Sequence, residues 1–265
     1  MEILGVPTEA QAWELALLAV LSGMIGVLAG FVGLALGTMR LPILLLLGFP
    51  APVAGGTNIL VSTASAATGA VRHLRAGRID WRVVAFMDIP AAAGAFVGGL
   101  SSDRVPEKLL IGGAGALVLW QGMEFLFRTQ LSRLNVTNRA EQVTVRRGAL
   151  EGILGLTIGG VGGAVGLILG SIRLPAMIRV LHIEPRIAAG TNLFIGFWLG
   201  LAGFVGHGLR GEVDVPLLIA MAGTAMVGSW YGARLTGRVE LGVLIKVLGW
   251  VLTAVGAVLV GRALA

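Results

Sequence analysis

Residues 11–30, 31–49, 53–71, 82–100 and 107–127 form five largely apolar runs, with short polar stretches only at 72–81 and 101–106. A bilayer core of about 30 Å is crossed by about 20 helical residues. These lengths therefore predict membrane-crossing helices. The second run is the exception, because it is short and is interrupted by Arg40 and Pro42. Composition agrees: the chain is 56% hydrophobic and 13% charged, against about 25% charge in a soluble domain. The expected class is an all-α polytopic membrane protein in the cell inner membrane, with the lipid bilayer as its first partner. A cleaved signal peptide is not expected, since Glu2, Glu9 and Glu14 stand where a basic n-region would be.

The net charge is +6, and Lys108 and Lys246 are the only lysines. The cations sit in short loops between apolar runs, which points to topology and anion handling rather than nucleic acid. There is no cysteine, so disulfides, thiolate nucleophiles and cysteine metal sites are excluded. His73, His182 and His207 are too scattered for a metal cluster. No Ser/His/Asp set and no phosphate loop is visible, so neither an enzyme nor a cofactor is expected.

The chain contains one unit twice. Arg40-Leu41-Pro42 matches Arg173-Leu174-Pro175, and Gly56-Thr57-Asn58 matches Gly190-Thr191-Asn192. His73, Gly77 and Asp80 match His207, Gly211 and Asp214. The units are residues 1–127 and 148–265, joined by an arginine-rich linker, 128–147. Five spans per unit, one of them broken, would make the copies inverted. Four spans would make them parallel.

Loop charge separates the two, because Lys and Arg concentrate on the cytoplasmic side. The N-terminal segment has no Lys or Arg, while its equivalent, the linker, has five. The 72–82 loop holds Arg72, Arg75, Arg78 and Arg82, and its equivalent holds only Arg210. Opposite bias at equivalent loops predicts two inverted repeats of about five segments, with the N-terminus outside and the linker inside. That topology needs a tight turn near Gly30 to Gly33.

An arginine at the bilayer centre costs at least about 2.5–3.5 kcal/mol, and such residues are usually functional. Proline removes an amide donor and restrains the residue before it, so Arg-Leu-Pro reads as a helix break. Paired broken helices in inverted repeats point to a transporter site. Half-helix N-termini suit an anion, and a guanidinium fits an oxyanion bidentately. Arg40 and Arg173 are thus candidate substrate ligands; the competing reading has both snorkelling to lipid phosphate.

Thr57, Asn58, Thr191 and Asn192 either cap the following helices or donate to the substrate. Asn58, Ser62, Ser65 and Gly69 share one helical stripe, which makes Ser62 and Ser65 candidate lining. In the second copy the stripe reads Asn192, Gly196, Leu199 and Gly203. Asp88 lies inside an apolar run and has Ala222 at its equivalent position, so it is a candidate for proton coupling or an ion pair. His73 and His207 sit where helix meets loop, as gating candidates or plain interfacial histidines. Glu124, Glu151 and Lys246 lie nearer segment ends and read as interfacial.

The segments "GVLAGFVGLALGTMRLP", "AGGTN" and "RAGRID", repeated as "GGVGGAVGLILGSIRLP", "AAGTN" and "RGEVD", resemble the sulfite exporter TauE/SafE family over nearly the whole chain. That family keeps the proline more loosely than it is kept here, and Asp88 is not among its hallmarks. The resemblance implies export of a small sulfur oxyanion such as sulfite or a small organosulfonate. The rival readings are a passive anion channel and a non-transporting scaffold or receptor. A homo-oligomer is compatible with either.

Overall fold

The computed structural model describes residues 2–3, 6–8, 10–32, 36–127, 145–235 and 242–265. Of the tight turn expected near Gly30 to Gly33, residues 30–32 are still helical, while Gly33 and most of the linker lie outside the described residues. A two-stranded ribbon, β1 (Glu2–Ile3) and β2 (Val6–Pro7), precedes the helices. It is a small departure from the all-helical expectation.

The first copy comprises α1 (Ala12–Val32), α2 (Gly37–Leu46), α3 (Ala51–Arg75), α4 (Trp81–Val83), a π-helical turn (Val84–Asp88), α5 (Ile89–Leu100) and α6 (Glu107–Phe127). The segment from α4 to α5 forms one span, Trp81–Leu100. The second copy comprises α7 (Val145–Val165), α8 (Gly170–Arg179), α9 (Pro185–Gly208), α10 (Val215–Leu235) and α11 (Gly242–Leu264). Among the described residues, seven helices are long and apolar enough to cross a membrane. Helix α3 spans 25 residues but carries hydroxyls, Asn58 and a basic end. The run 31–49 yields only the ten-residue α2.

Glycine sets the packing, because its missing Cβ lets helix backbones touch. A Cβ at Gly26 would overlap Ala225, and one at Gly228 would overlap Gly23. Ser22 also donates to the Met221 carbonyl at 2.9 Å, so α1 and α10 run parallel. Gly155, Gly159 and Gly163 meet Met87, Ala91 and Ala95 in the same order, so α7 and α5 run parallel as well.

Equivalent helices behave differently. Along α3 and α9, Gly56 meets Glu212, Ile59 meets Gly203, Thr63 meets Gly200, and Gly69 meets Leu193. One sequence rises as the other falls, so α3 and α9 are antiparallel. Gly115 against Gly256 and Gly122 against Gly249 give the same relation for α6 and α11. Exchanging the copies turns Ile59 on Gly203 into Leu193 on Gly69, and Gly115 on Gly256 into Gly249 on Gly122.

The helix break lies elsewhere than Arg-Leu-Pro. Pro42 and Pro175 both sit inside short helices. In the second copy α7 ends at Gly166, which has a φ of +78°. The Leu167 amide reaches back to the Gly162 carbonyl at 2.7 Å and the Gly166 amide to Gly163 at 3.2 Å, a glycine C-terminal cap. Leu167, Ile168 and Leu169 continue without helix, all buried, before α8 begins. Glycine supplies the stop; proline is tolerated in the short helix that follows.

Candidate functional site

Helices α3 and α9 cross at the centre of the molecule, and the arginines of α2 and α8 lie against them. Arg40 is 1% exposed and Arg173 0%. Residues 62–65 lie near the middle of α3, and that is where Arg40 reaches. One terminal nitrogen lies 3.4 Å from Ser62 Oγ and the other 3.4 Å from Ser65 Oγ. Both contacts are long for charge-assisted bonds, which run about 2.7–2.9 Å. Arg40 Nε has no hydrogen-bond partner, and among the described residues no carboxylate pairs with this guanidinium.

Arg173 is held differently. Its Nε donates to Asn192 Oδ1 at 2.8 Å and one terminal nitrogen donates to the Asn192 carbonyl at 2.7 Å. Gly196 makes room for that nitrogen, since a Cβ there would sit 3.2 Å away. Asp88 attracts Arg173 electrostatically. The other terminal nitrogen of Arg173 and Oδ1 of Asp88 are buried without hydrogen bonds. Asp88 closes the π-helical turn just before Pro90, whose absent amide favours such a bulge. Helix α10 carries no such turn.

The serine stripe thus meets one arginine, and the glycine at the equivalent position makes room for the other. Asn58 faces the broken segment, its amide donating to the Gly166 carbonyl at 2.9 Å while Oδ1 has no partner.

Thr57 and Thr191 cap nothing. Their helices begin at Ala51 and Pro185, about two turns earlier. Each hydroxyl oxygen accepts a backbone amide from the opposite copy: Asp214 N–H to Thr57 at 3.1 Å, and Asp80 N–H to Thr191 at 2.9 Å. They tie each central helix to the loop of the other copy.

The two histidines part company. His207 is 0% exposed, so the interfacial reading fails for it. Its Nε2 lies 2.8 Å from the Gly163 carbonyl and its Nδ1 2.7 Å from Glu212 Oε2. Ser102 also donates to Glu212, at 2.5 Å. This knot joins α9, the end of α5 and the end of α7. In the first copy Arg78 stands where Glu212 would be, and His73, half-buried, has no partner on Nδ1. Sequence reading missed Glu212; the Arg78/Glu212 charge reversal in otherwise matching loops was the available signal. Glu151 is also not interfacial: it is fully buried and paired with Arg82 at 3.0 Å.

Burial by itself would raise the Glu212 pKa, but hydrogen bonds from His207 and Ser102, with the charges of His207 and Arg210, hold it below the ordinary value of 4.5. A depressed carboxylate stabilises the fold above its unfolded pKa, and that stability is lost as pH falls through the folded value. Glu212→Gln is therefore expected to lower the unfolding temperature at pH 7. The gap to wild type should shrink as pH falls from 4.5 through the lower folded pKa, below which both chains carry a neutral group. Thermal unfolding in detergent across pH measures it, and a gap independent of pH would contradict the assignment.

Residues 17–259 match the family described as Sulfite exporter TauE/SafE. The chain is 28% identical over 223 residues to Probable membrane transporter protein YdhB of Bacillus subtilis (strain 168), covering 83% of this chain and 86% of the relative. It is 22% identical over 219 residues to Probable membrane transporter protein YunE of the same organism, covering 78% of this chain and 80% of that relative. No solved structure matches the chain.

Proposed function

Because the chain belongs to the sulfite exporter TauE/SafE family, we propose that it exports a small sulfur oxyanion, sulfite or a small organosulfonate, across the inner membrane by alternating access. The units are residues 1–127 and 148–265, arranged as inverted repeats, with the basic segment 128–147 on the cytoplasmic side. Antiparallel packing of equivalent helices, α3 on α9 and α6 on α11, supports inversion, since copies related by an axis along the membrane normal would run parallel. Parallel α1 and α10, with α10 joined to α3 at Thr57 and Asp214, require the chain to cross back between α1 and α3. In this reading the segment that includes helix α2 makes that crossing, the fifth in the copy.

The observation that carries the anion reading is Arg40. A buried guanidinium without a counter-charge is unstable unless something pairs with it, and two long hydroxyl contacts do not. An oxyanion supplies that charge, with Ser62, Ser65 and Asn58 as neighbouring donors. Arg173, held by Asn192 of α9, lies against the other central helix. Asp88, beside Arg173, is the group through which a proton would couple to transport.

The test is uptake of radiolabelled sulfite into proteoliposomes, with and without a pH gradient. Saturable uptake, accelerated by the gradient in wild type and insensitive to it in Asp88→Asn, is expected. Linear, unsaturable flux would make the protein a channel. Uptake equal to protein-free liposomes for sulfite and organosulfonates alike would overturn the proposal.

A further inference from the structure

Helices α3 and α10 are tied at one end by Thr57 and Asp214. At the other end they leave a groove of about 570 Å³ lined by Thr68, Val71, Arg72, Arg75, Met226 and Trp230, among others. The equivalent pair, α9 and α5, is tied by Thr191 and Asp80 in the same way, yet it is shut at the corresponding place. A Cβ at Gly206 would overlap the Phe96 carbonyl, and one at Gly99 would press on Gly203 and His207. The sequence difference is direct: Arg72 matches Gly206, and Trp230 matches Phe96. One copy closes through bare backbone, and the other carries bulk and charge where that seam would form.

The open groove also leads somewhere. Ser65 holds one nitrogen of Arg40. Thr68 is one turn further along α3 and Arg72 one turn beyond that, about 10 Å from Ser65. Arg72 falls nearly on the Ser62 and Ser65 stripe of the helix. Among the described residues, none that lines the groove is an acid. Two guanidiniums at the mouth and hydroxyls further in form a path of falling potential for a small anion.

We propose that this groove is the water-filled path by which a small oxyanion reaches Arg40, with Arg72 and Arg75 as its first contacts. The sealed α5–α9 seam, fastened by the His207, Glu212 and Ser102 knot, is the closed path on the opposite face. The proposal rests on the transport reading, and it assigns this structure to the state open toward the arginine-rich 72–82 loop. An anionic lipid headgroup shares the same chemistry, so the experiment must separate the two sources.

The chain lacks cysteine, so single thiols can be introduced directly. Thr68→Cys and, at its equivalent position, Ala202→Cys would be treated in sealed proteoliposomes with a sulfonate-bearing methanethiosulfonate, its trimethylammonium counterpart and an apolar maleimide. The expected result is that Thr68→Cys reacts with the sulfonate reagent and Ala202→Cys does not. Adding Arg72→Gln and Arg75→Gln should slow the sulfonate reagent about tenfold without slowing the cationic one. Ala67→Cys, at another lining position, serves if the Thr68 variant fails to fold. Reaction with the maleimide but with neither charged reagent would mean the groove holds lipid, overturning the proposal. Equal reactivity at Thr68 and Ala202 would overturn it too. Labelling requires no flux, so failure here is distinguishable from failure of the transport reading.

Discussion

Replacing Arg40 with glutamine is expected to lower anion flux at least about tenfold, the loss of one or two charge-assisted bonds of about 1.5–3 kcal/mol each, without reducing thermal stability. The two halves of that result have separate causes. Flux falls because the buried cation that would pair with the oxyanion is gone. Stability holds because Arg40 has no carboxylate to leave behind, and its contacts to Ser62 and Ser65 are long. Taking an unpaired charge out of a buried site relieves a cost.

The same change at Arg173 should look different. Asn192 would lose the charged donor held at 2.8 Å and Asp88 the nearby cation that attracts it, and a buried acceptor left unsatisfied costs about 1–3 kcal/mol, more for a charged group. Arg173→Gln is thus expected to unfold at clearly lower temperature, and Asp88→Asn in the same chain should restore part of the loss. Matched thermal scans and flux assays on wild type and the three variants decide the matter. Equal destabilisation by Arg40→Gln and Arg173→Gln would contradict the division of roles.

The second large effect concerns the break itself. Gly166→Ala is expected to destabilise the protein by at least about 3 kcal/mol, adding left-handed strain to overpacking. Its φ is +78°, and a Cβ would run into the Gly55 backbone. Gly55 lies in α3, and the neighbouring Asn58 binds the Gly166 carbonyl, so the overlap would push the broken segment off the central helix. Gly160→Ala is the control: its Cβ would meet only the Gly94 carbonyl, at 3.8 Å. That variant should be near neutral. Monodisperse recovery in detergent and the unfolding midpoint read both, and a stable Gly166→Ala would remove the assigned cause of the helix stop.

Much of this was legible in the sequence. The duplication, the two arginines and the serine stripe can all be read from spacing, and burial of Arg40 and Arg173 follows from their apolar surroundings. What could not be read depended on contacts between the copies. Proline marked the wrong place for the break, because one missing amide is tolerated in a short helix and a left-handed glycine among many glycines is indistinguishable by type. Thr57 and Thr191 resembled caps, but their partners are amides in the opposite copy. His207 looked like its twin His73 until Gly163 and Glu212 closed around it. The asymmetry of the two passages rests on single substitutions, Arg72 for Gly206 and Trp230 for Phe96, whose effect appears only when α10 is set beside α3.

The central claim is that Arg40 awaits a small oxyanion. Equilibrium dialysis of radiolabelled sulfite against the purified protein in detergent tests it without requiring transport, orientation or coupling. The account predicts saturable binding of one anion per chain, lost in Arg40→Gln and preserved in Gly160→Ala. Saturable binding that survives unchanged in Arg40→Gln would contradict it.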